Sequence, residues 1–307
     1  MFKEQFRVLE ALSKPRTRQE LAQRLEYAPN TVTNAVGELE SQGLVSRERT
    51  GQETLVSPAE VPCVETYQSL VAAHPHIDFP ELFTKSLLEL LYYLSSDSWT
   101  TAATLIEMST LSKPTVYRHF NTLQNRALVL KEHSQYRLAD EFELLHTFAR
   151  ELRHQHHRQQ VKTDVEGGVL VWETYDEFLV QTTEPVSEEG YHLTGLDAFS
   201  EYGLEFLTTS EQYYLFAPNR ASLTPGDIIC HLLVIENDAR HRKYAMLLLV
   251  TTDEPLETVR EKASYYGVAE TVEAMTEYVD TEGDVRAENL PPWSEFEALA
   301  ADYGVSV

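Results

Sequence analysis

The chain has 307 residues, 42% of them apolar, and carries 49 Asp or Glu against 25 Lys or Arg for a net charge of −24. That length and apolar share suit two or three folded domains and exclude a chain disordered throughout. No run approaches about 18 uninterrupted apolar residues, and the start MFKEQFRVLEALSKPR lacks a signal peptide's apolar block, so the expectation is a soluble cytoplasmic protein without membrane contact.

Phe2, Phe6, Leu9 and Leu12 stand at helical spacing before Lys14-Pro15-Arg16 breaks the pattern. Thr17 can cap a second helix, with Glu20 completing a capping box and Leu21 and Leu25 facing inward. After a turn at Tyr27-Ala28-Pro29, a third helix places Val32, Val36 and Leu39 on one face and ends at Gly43. Leu44 to Arg49, the turn Thr50-Gly51, and Glu53 to Val56 read as a hairpin.

A shift of 84 residues brings this order round again. Thr31-Val32 meets Thr115-Val116, Leu39 meets Leu123, and Leu44-Val45 meets Leu128-Val129. The second copy predicts a helix from Leu82 to Leu94 and another opened by Thr100 or Thr101. A third is capped by Ser112, has Pro114 in its first turn, and faces inward with Val116, Phe120 and Leu123. A shorter hairpin turns at His133-Ser134. Two copies are too few for a solenoid, so two small domains of one kind are expected.

Residues 141–163 predict a long polar helix, a connector or dimerisation element, whose His146, His154, His156 and His157 read as a solvated or phosphate-facing end, with metal binding as the alternative. Beyond it, GVLVWET, EFLVQTT, EQYYLFAP, DIICHLLVIEN and AMLLLVTT read as strands. Helices are expected near Leu196–Tyr202, Leu256–Tyr266, Ala269–Tyr278 and Trp293–Tyr303, the last with Trp293, Phe296, Leu299 and Tyr303 packed into the core. The texture changes where the charge does. Residues 1–163 hold 18 cations and 20 acids, and residues 164–307 hold 7 and 29. With 17 Arg to 8 Lys, the composition predicts a halophilic protein, since strong salt screens the self-repulsion of an acidic surface. Cys63 and Cys230 form no CxxC spacing and are expected to be buried free thiols.

The order helix, helix, turn, helix, hairpin is that of a winged helix-turn-helix, whose third helix can enter a DNA major groove. Polar or basic side chains near that helix's start are what such contact requires. In the first copy these are Asn30, Thr31, Thr33 and Asn34, with Arg16, Arg18, Arg47 and Arg49 nearby. In the second they are Ser112, Lys113, Thr115, Tyr117, Arg118 and Asn121, with Arg126, Lys131 and Arg137 behind. Both faces are expected to be free of acids.

The motifs PNTVTNAVGELESQGLV and KPTVYRHFNTLQNRALV resemble those of tandem winged-helix prokaryotic transcription regulators of haloarchaeal type, over about residues 5–58 and 82–140. Ala28 departs from the usual capping residue and Ala127 from the usual C-cap glycine, which implies a weaker phosphate grip in the first copy. TGLDAFSEYGL, YYLFAP, LLVIEN and AMLLLVTTD look distantly like the C-terminal domain of abortive-infection (AbiEi-type) antitoxins, a likeness that implies repression of its own operon and opposition to a nucleotidyltransferase-like toxin.

The fold class expected is therefore α+β, with two tandem winged helices (1–60 and 78–140), a connector (141–163) and an acidic mixed α/β domain (164–307). No Gly-rich phosphate loop, GxSxG or HExxH occurs. The acids Asp253-Glu254 and Glu236 to Asp238 are what chance allows in so acidic a region, so no enzyme, cofactor or metal is expected. The function expected is a homodimeric transcription regulator binding double-stranded DNA. Its last domain would dimerise, oppose a cognate toxin, or sense a small-molecule effector in an apolar pocket between the LLVIEN and MLLLV strands and Tyr213-Tyr214-Phe216.

Overall fold

Helix α1 (Lys3–Ala11) buries Phe6, Val8 and Leu9. Strand β1 (Arg16–Thr17) leads into α2 (Arg18–Leu25), where the expected capping box forms: Thr17 Oγ1 accepts from Glu20 N at 3.2 Å, and the Glu20 carboxylate accepts from Thr17 N at 2.7 Å. Such a cap contributes about 1 kcal/mol. Helix α3 (Pro29–Ser41) and strands β2 (Val45–Thr50) and β3 (Glu53–Pro58) complete the copy, with a sheet ordered β1-β3-β2. These coordinates are a computed structural model that describes residues 3–51, 53–206, 210–252, 254–285 and 289–307; Phe2 and Asp253 lie outside the described residues.

Residues 61–77, between the two expected domains, include α4 (Pro62–Ala73), which buries Cys63, Val64, Tyr67 and Leu70 at helical spacing. The single helix expected over Leu82–Leu94 is instead α5 (Phe79–Leu82) and α6 (Lys85–Tyr93). The break comes at Thr84, whose hydroxyl accepts from Leu87 N at 3.1 Å and caps the second piece.

Strand β4 (Thr100–Thr101), α7 (Ala102–Met108), α8 (Lys113–Asn125), β5 (Val129–Glu132) and β6 (Gln135–Leu138) follow, and their sheet runs β4-β6-β5. The 84-residue offset maps α3 onto α8 end to end, at 13 residues each, and β1 onto β4. Val32 and Val116, Leu39 and Leu123, and Leu44 and Leu128 are buried in pairs. The helices close alike as well, with Leu44 N on Leu39 O at 2.9 Å and Leu128 N on Leu123 O at 3.0 Å. The copies share a core. Phe6 lies 5.2 Å from Phe83, and Phe148 of α9 (Glu143–Asp164) lies 5.4 Å from Phe83 and 5.2 Å from Tyr67.

Helix α9 is not the solvated segment expected. His154 is exposed, but His157 is fully buried, His146 Nδ1 lies 2.9 Å from Leu91 O, and Gln155 Nε2 donates to Gln42 O at 3.1 Å. Its polarity serves the close of α3. At Gly43, with φ +68°, an added Cβ would meet Gln155 Nε2 at 2.7 Å and crowd Gln159 as well, so only glycine suits the position.

The chain divides into compact units at residues 1–159 and 160–307. In the second, β7 (Val169–Glu173), β8 (Phe178–Thr182), β9 (Tyr191–Thr194) and β10 (Gln212–Phe216) form an antiparallel sheet ordered β7-β8-β10-β9. The segment expected as a helix near Leu196–Tyr202 is a 3-10 helix, Gly195–Tyr202. DIICHLLVIEN and AMLLLVTT are corrected from strands to helices: they belong to α10 (Pro225–Ile235) and α11 (Ala239–Thr251). An unbroken apolar run fits a fully buried strand and a fully buried helix equally well. The caps decide between them. Thr224 and Asp227 form a capping box with Pro225 in the first turn, and Asp238 Oδ1 accepts from His241 N at 2.7 Å.

Helices α12 (Leu256–Tyr266), α13 (Ala269–Asp280) and α14 (Trp293–Asp302) lie where expected, and Phe296, Trp293 and Tyr303 pack into the same core as Ile228, Leu247 and Val259. The fold class is α+β, with helices predominating over small antiparallel sheets among the described residues. Both cysteines are buried and free, and burial pushes each thiol up to about 12. No helix among the described residues is long and apolar enough to cross a membrane.

Candidate nucleic-acid interface

Helix α8 is seated by two part-buried contacts. Glu89 of α6, 3% exposed, accepts from both Thr110 N and Thr110 Oγ1 at 2.7 Å, which locks the turn between α7 and α8. Ser86 Oγ meets His119 Nε2 at 2.8 Å, and burial, then the Arg118 charge, lowers the pKa of that imidazole. With Val116, Phe120 and Leu123 inward, Lys113, Tyr117, Arg118 and Asn121 face solvent, spaced for one stripe, and Tyr117 is 42% exposed. Ser112 is the N-cap residue, yet its hydroxyl lies 3.0 Å from Thr115 Oγ1 and caps no backbone N–H; Thr115 itself is half-buried. Arg126 and Lys131 are exposed, and the Lys131 ammonium stands 5.2 Å from the Tyr136 ring centroid. Arg137 is not available as expected: it donates to Ser96 O at 2.9 Å, pairs with Asp140, and lies 5.2 Å from the Trp99 ring.

On the first copy the expectation of an acid-free face is overturned. Thr31 and Asn34 share a hollow of about 270 Å³ with Glu4 and Glu38. Arg47 Nε donates to Glu40 Oε1 at 2.7 Å, so a cation expected to face phosphate is neutralised by the third helix itself. Arg16 Nε donates to Ala11 O at 2.9 Å, and Thr33 Oγ1 returns to Pro29 O at 2.9 Å. Asn30, Arg18 and Arg49 remain exposed. Ala28 caps nothing, as its side chain dictates.

The copies therefore differ in charge far more than in backbone. Residues 108–131 hold Lys113, Arg118, Arg126 and Lys131 and no Asp or Glu. The equivalent residues 24–47 hold Arg24 and Arg47 against Glu26, Glu38 and Glu40. One stretch is +4 and the other −1, in a chain of −24.

In the second unit, Asp227, 2% exposed, takes Lys262 Nζ at 2.7 Å and Arg220 Nη1 at 2.9 Å, while Arg220 grips Glu177 with two bonds of 2.7 and 2.8 Å. Burial alone would raise the Asp227 pKa; the Lys262 and Thr224 hydrogen bonds and the charges of Lys262 and Arg220 outweigh it and hold it at about 2. The sequence reading missed this network, whose readable signal was the Thr224-Pro-Gly-Asp227 capping box. Glu254 accepts from Thr224 Oγ1 at 3.2 Å and from Gly226 N, tying down the start of α10. The apolar pocket expected between two strands is displaced, because those strands are helices. A pocket of about 160 Å³ opens between Tyr213 of β10 and Leu232 and Ile235 of α10.

A family model described as HVO_2833_C, C-terminal, the C-terminal domain of a haloarchaeal protein, matches residues 188–305. The match does not reach the two repeat copies in residues 1–140, and its description names no antitoxin. No curated protein matches the chain.

Proposed function

We propose that this chain is a sequence-specific DNA-binding transcription regulator of a high-salt cytoplasm, and that the second copy is its principal DNA-reading head. The observation that carries this reading is the acid-free, four-cation stretch 108–131, placed around an exposed helix whose outward side chains are Lys113, Tyr117, Arg118 and Asn121. In a chain this acidic, a patch without acids is where a polyanion can approach. Phosphate contacts weaken steeply in strong salt, so affinity there leans on base contacts and on duplex shape. Asn121 and Arg118 have the donors for base edges, and Tyr117 has the flat apolar surface to pack against sugar or thymine methyl. The first copy, with acids beside Asn34, contributes less. The second unit then supplies sensing, dimerisation or partner binding.

Footprinting of the full chain on its own promoter in about molar KCl, a salt level at which the Debye length is about 3 Å, tests this. Protection is expected, and Tyr117→Ala with Arg118→Ala should abolish it, while Asn30→Ala with Asn34→Ala should weaken it by less than tenfold. Failure to enrich any genomic fragment in a pull-down would sink the reading.

A further inference from the structure

We propose that the pocket beside Tyr213 in the second unit is a binding site for one divalent transition-metal ion, held by His241 Nε2 and the Glu236 carboxylate. Three chain segments meet there: Asp197 from the 3-10 helix, Glu211 and Tyr213 at β10, and Glu236 and His241 at the junction of α10 and α11. His241 is only 9% exposed, and its two ring nitrogens have different surroundings. Nδ1 meets Asp238 Oδ1 at 2.7 Å, which fixes the ring. Among the described residues no hydrogen bond takes up Nε2, which faces Glu236 Oε2 at 3.6 Å, and both His241 and Glu236 line the pocket.

A carboxylate on one imidazole nitrogen, with the other turned to an open space beside a second carboxylate, is the outer-shell arrangement of metal-binding histidines. The distance fits as well. Bonds of about 2.0 to 2.2 Å to one ion allow donor atoms up to about 4.4 Å apart, and 3.6 Å lies inside that limit. Asp197 and Glu211 add negative charge to the lining, Arg240 being its one Lys or Arg. A mixed imidazole and carboxylate set favours Mn²⁺, Fe²⁺, Co²⁺ or Zn²⁺ over Mg²⁺ or Ca²⁺. The volume of about 160 Å³ leaves room for bound waters to complete the coordination. The inference does not depend on DNA binding.

The test is calorimetric titration of the chelator-treated full chain with Mn²⁺, Co²⁺ and Zn²⁺ in molar KCl, where loose binding to surface carboxylates is screened. One ion per chain is expected, with Co²⁺ giving a visible absorption band. Glu236→Gln, a change at a mostly exposed side chain, should weaken binding at least tenfold, and so should Asp238→Asn, which removes the negative charge that makes the imidazole a stronger ligand. His241→Ala should remove the band, with a melting curve to show that the variant folds. No stoichiometric binding by the unaltered chain overturns the proposal. Binding that is unchanged in Glu236→Gln and in folded His241→Ala also overturns it, because the ion then sits elsewhere.

Discussion

Ala127 holds φ +57° at the close of α8, where its counterpart Gly43 holds φ +68° at the close of α3. A side chain in that left-handed region costs about 1 kcal/mol or more, so Ala127→Gly should stabilise the first unit by about 1 kcal/mol and raise its melting temperature by about 2 to 4 °C. Gly43→Ala should cost more than the reverse change gains, because the added methyl also displaces Gln155 and Gln159; denaturant titration of both variants measures the difference. Two imidazoles set the acid limit, His231 fully buried and His156 half-buried. Burial lowers the pKa of His156 and His231 to about 3 each. Between about 3 and the unfolded value near 6.5 the unfolded chain binds more protons at these positions, so stability falls as pH drops through that window, by about 1.4 kcal/mol per pH unit for each histidine. His231→Gln, which keeps a partner for Thr194 Oγ1, should flatten that slope in pH-dependent denaturation of the second unit. An unchanged slope would mean that the imidazole is charged in the fold.

Among the elements, α10 depends on the ions at its start. The folded pKa of Asp227 lies at about 2 and its ordinary value near 3.9, so its contribution, on the order of 2 kcal/mol, is present above about pH 4 and lost as pH falls toward 2. Asp227→Asn should destabilise the second unit by about 3 kcal/mol at neutral pH, since it leaves Lys262 and Arg220 short of a buried carboxylate. Thermal melts of the folded variant read this directly. Helices α3 and α8 are equal in length and burial but unequal in charge, and the second should carry the salt dependence of DNA binding. Lys131→Ala should reduce the log–log salt slope by about 1, and Arg49→Ala on the first hairpin by clearly less. The hairpins of both copies and all their helices but the one broken at Thr84 were legible because caps and apolar spacing are local signals. Helices α10 and α11 were misread because burial on all sides erases the periodicity that tells helix from strand.

At the scale of the whole molecule, the charge is divided as unevenly as the sequence indicates. The unit from 160 to 307 holds 8 cations and 29 acids, against 17 and 20 in residues 1–159. Diluting KCl from about 1 M to about 0.1 M lengthens the Debye length from about 3 to about 10 Å and exposes that excess to its own repulsion. Hydrogen exchange should then rise more in peptides from 160–307 than in those from 1–159; an equal rise would show that the division has no energetic consequence.

Sequence alone determined the doubled helix-and-hairpin frame, the capping box at Thr17, the close of the third helix at Gly43, and the charge break, because each is written in neighbouring residues or in bare composition. Tertiary structure decided which cations stay available. Arg16, Arg47 and Arg137 look as free in sequence as Arg118 does, yet Ala11, Glu40, Ser96 and Asp140 engage them. It also brought Glu236 and His241 to one pocket with Asp197 and Glu211. Pairing and convergence of this kind arise from contacts between segments that no local pattern records.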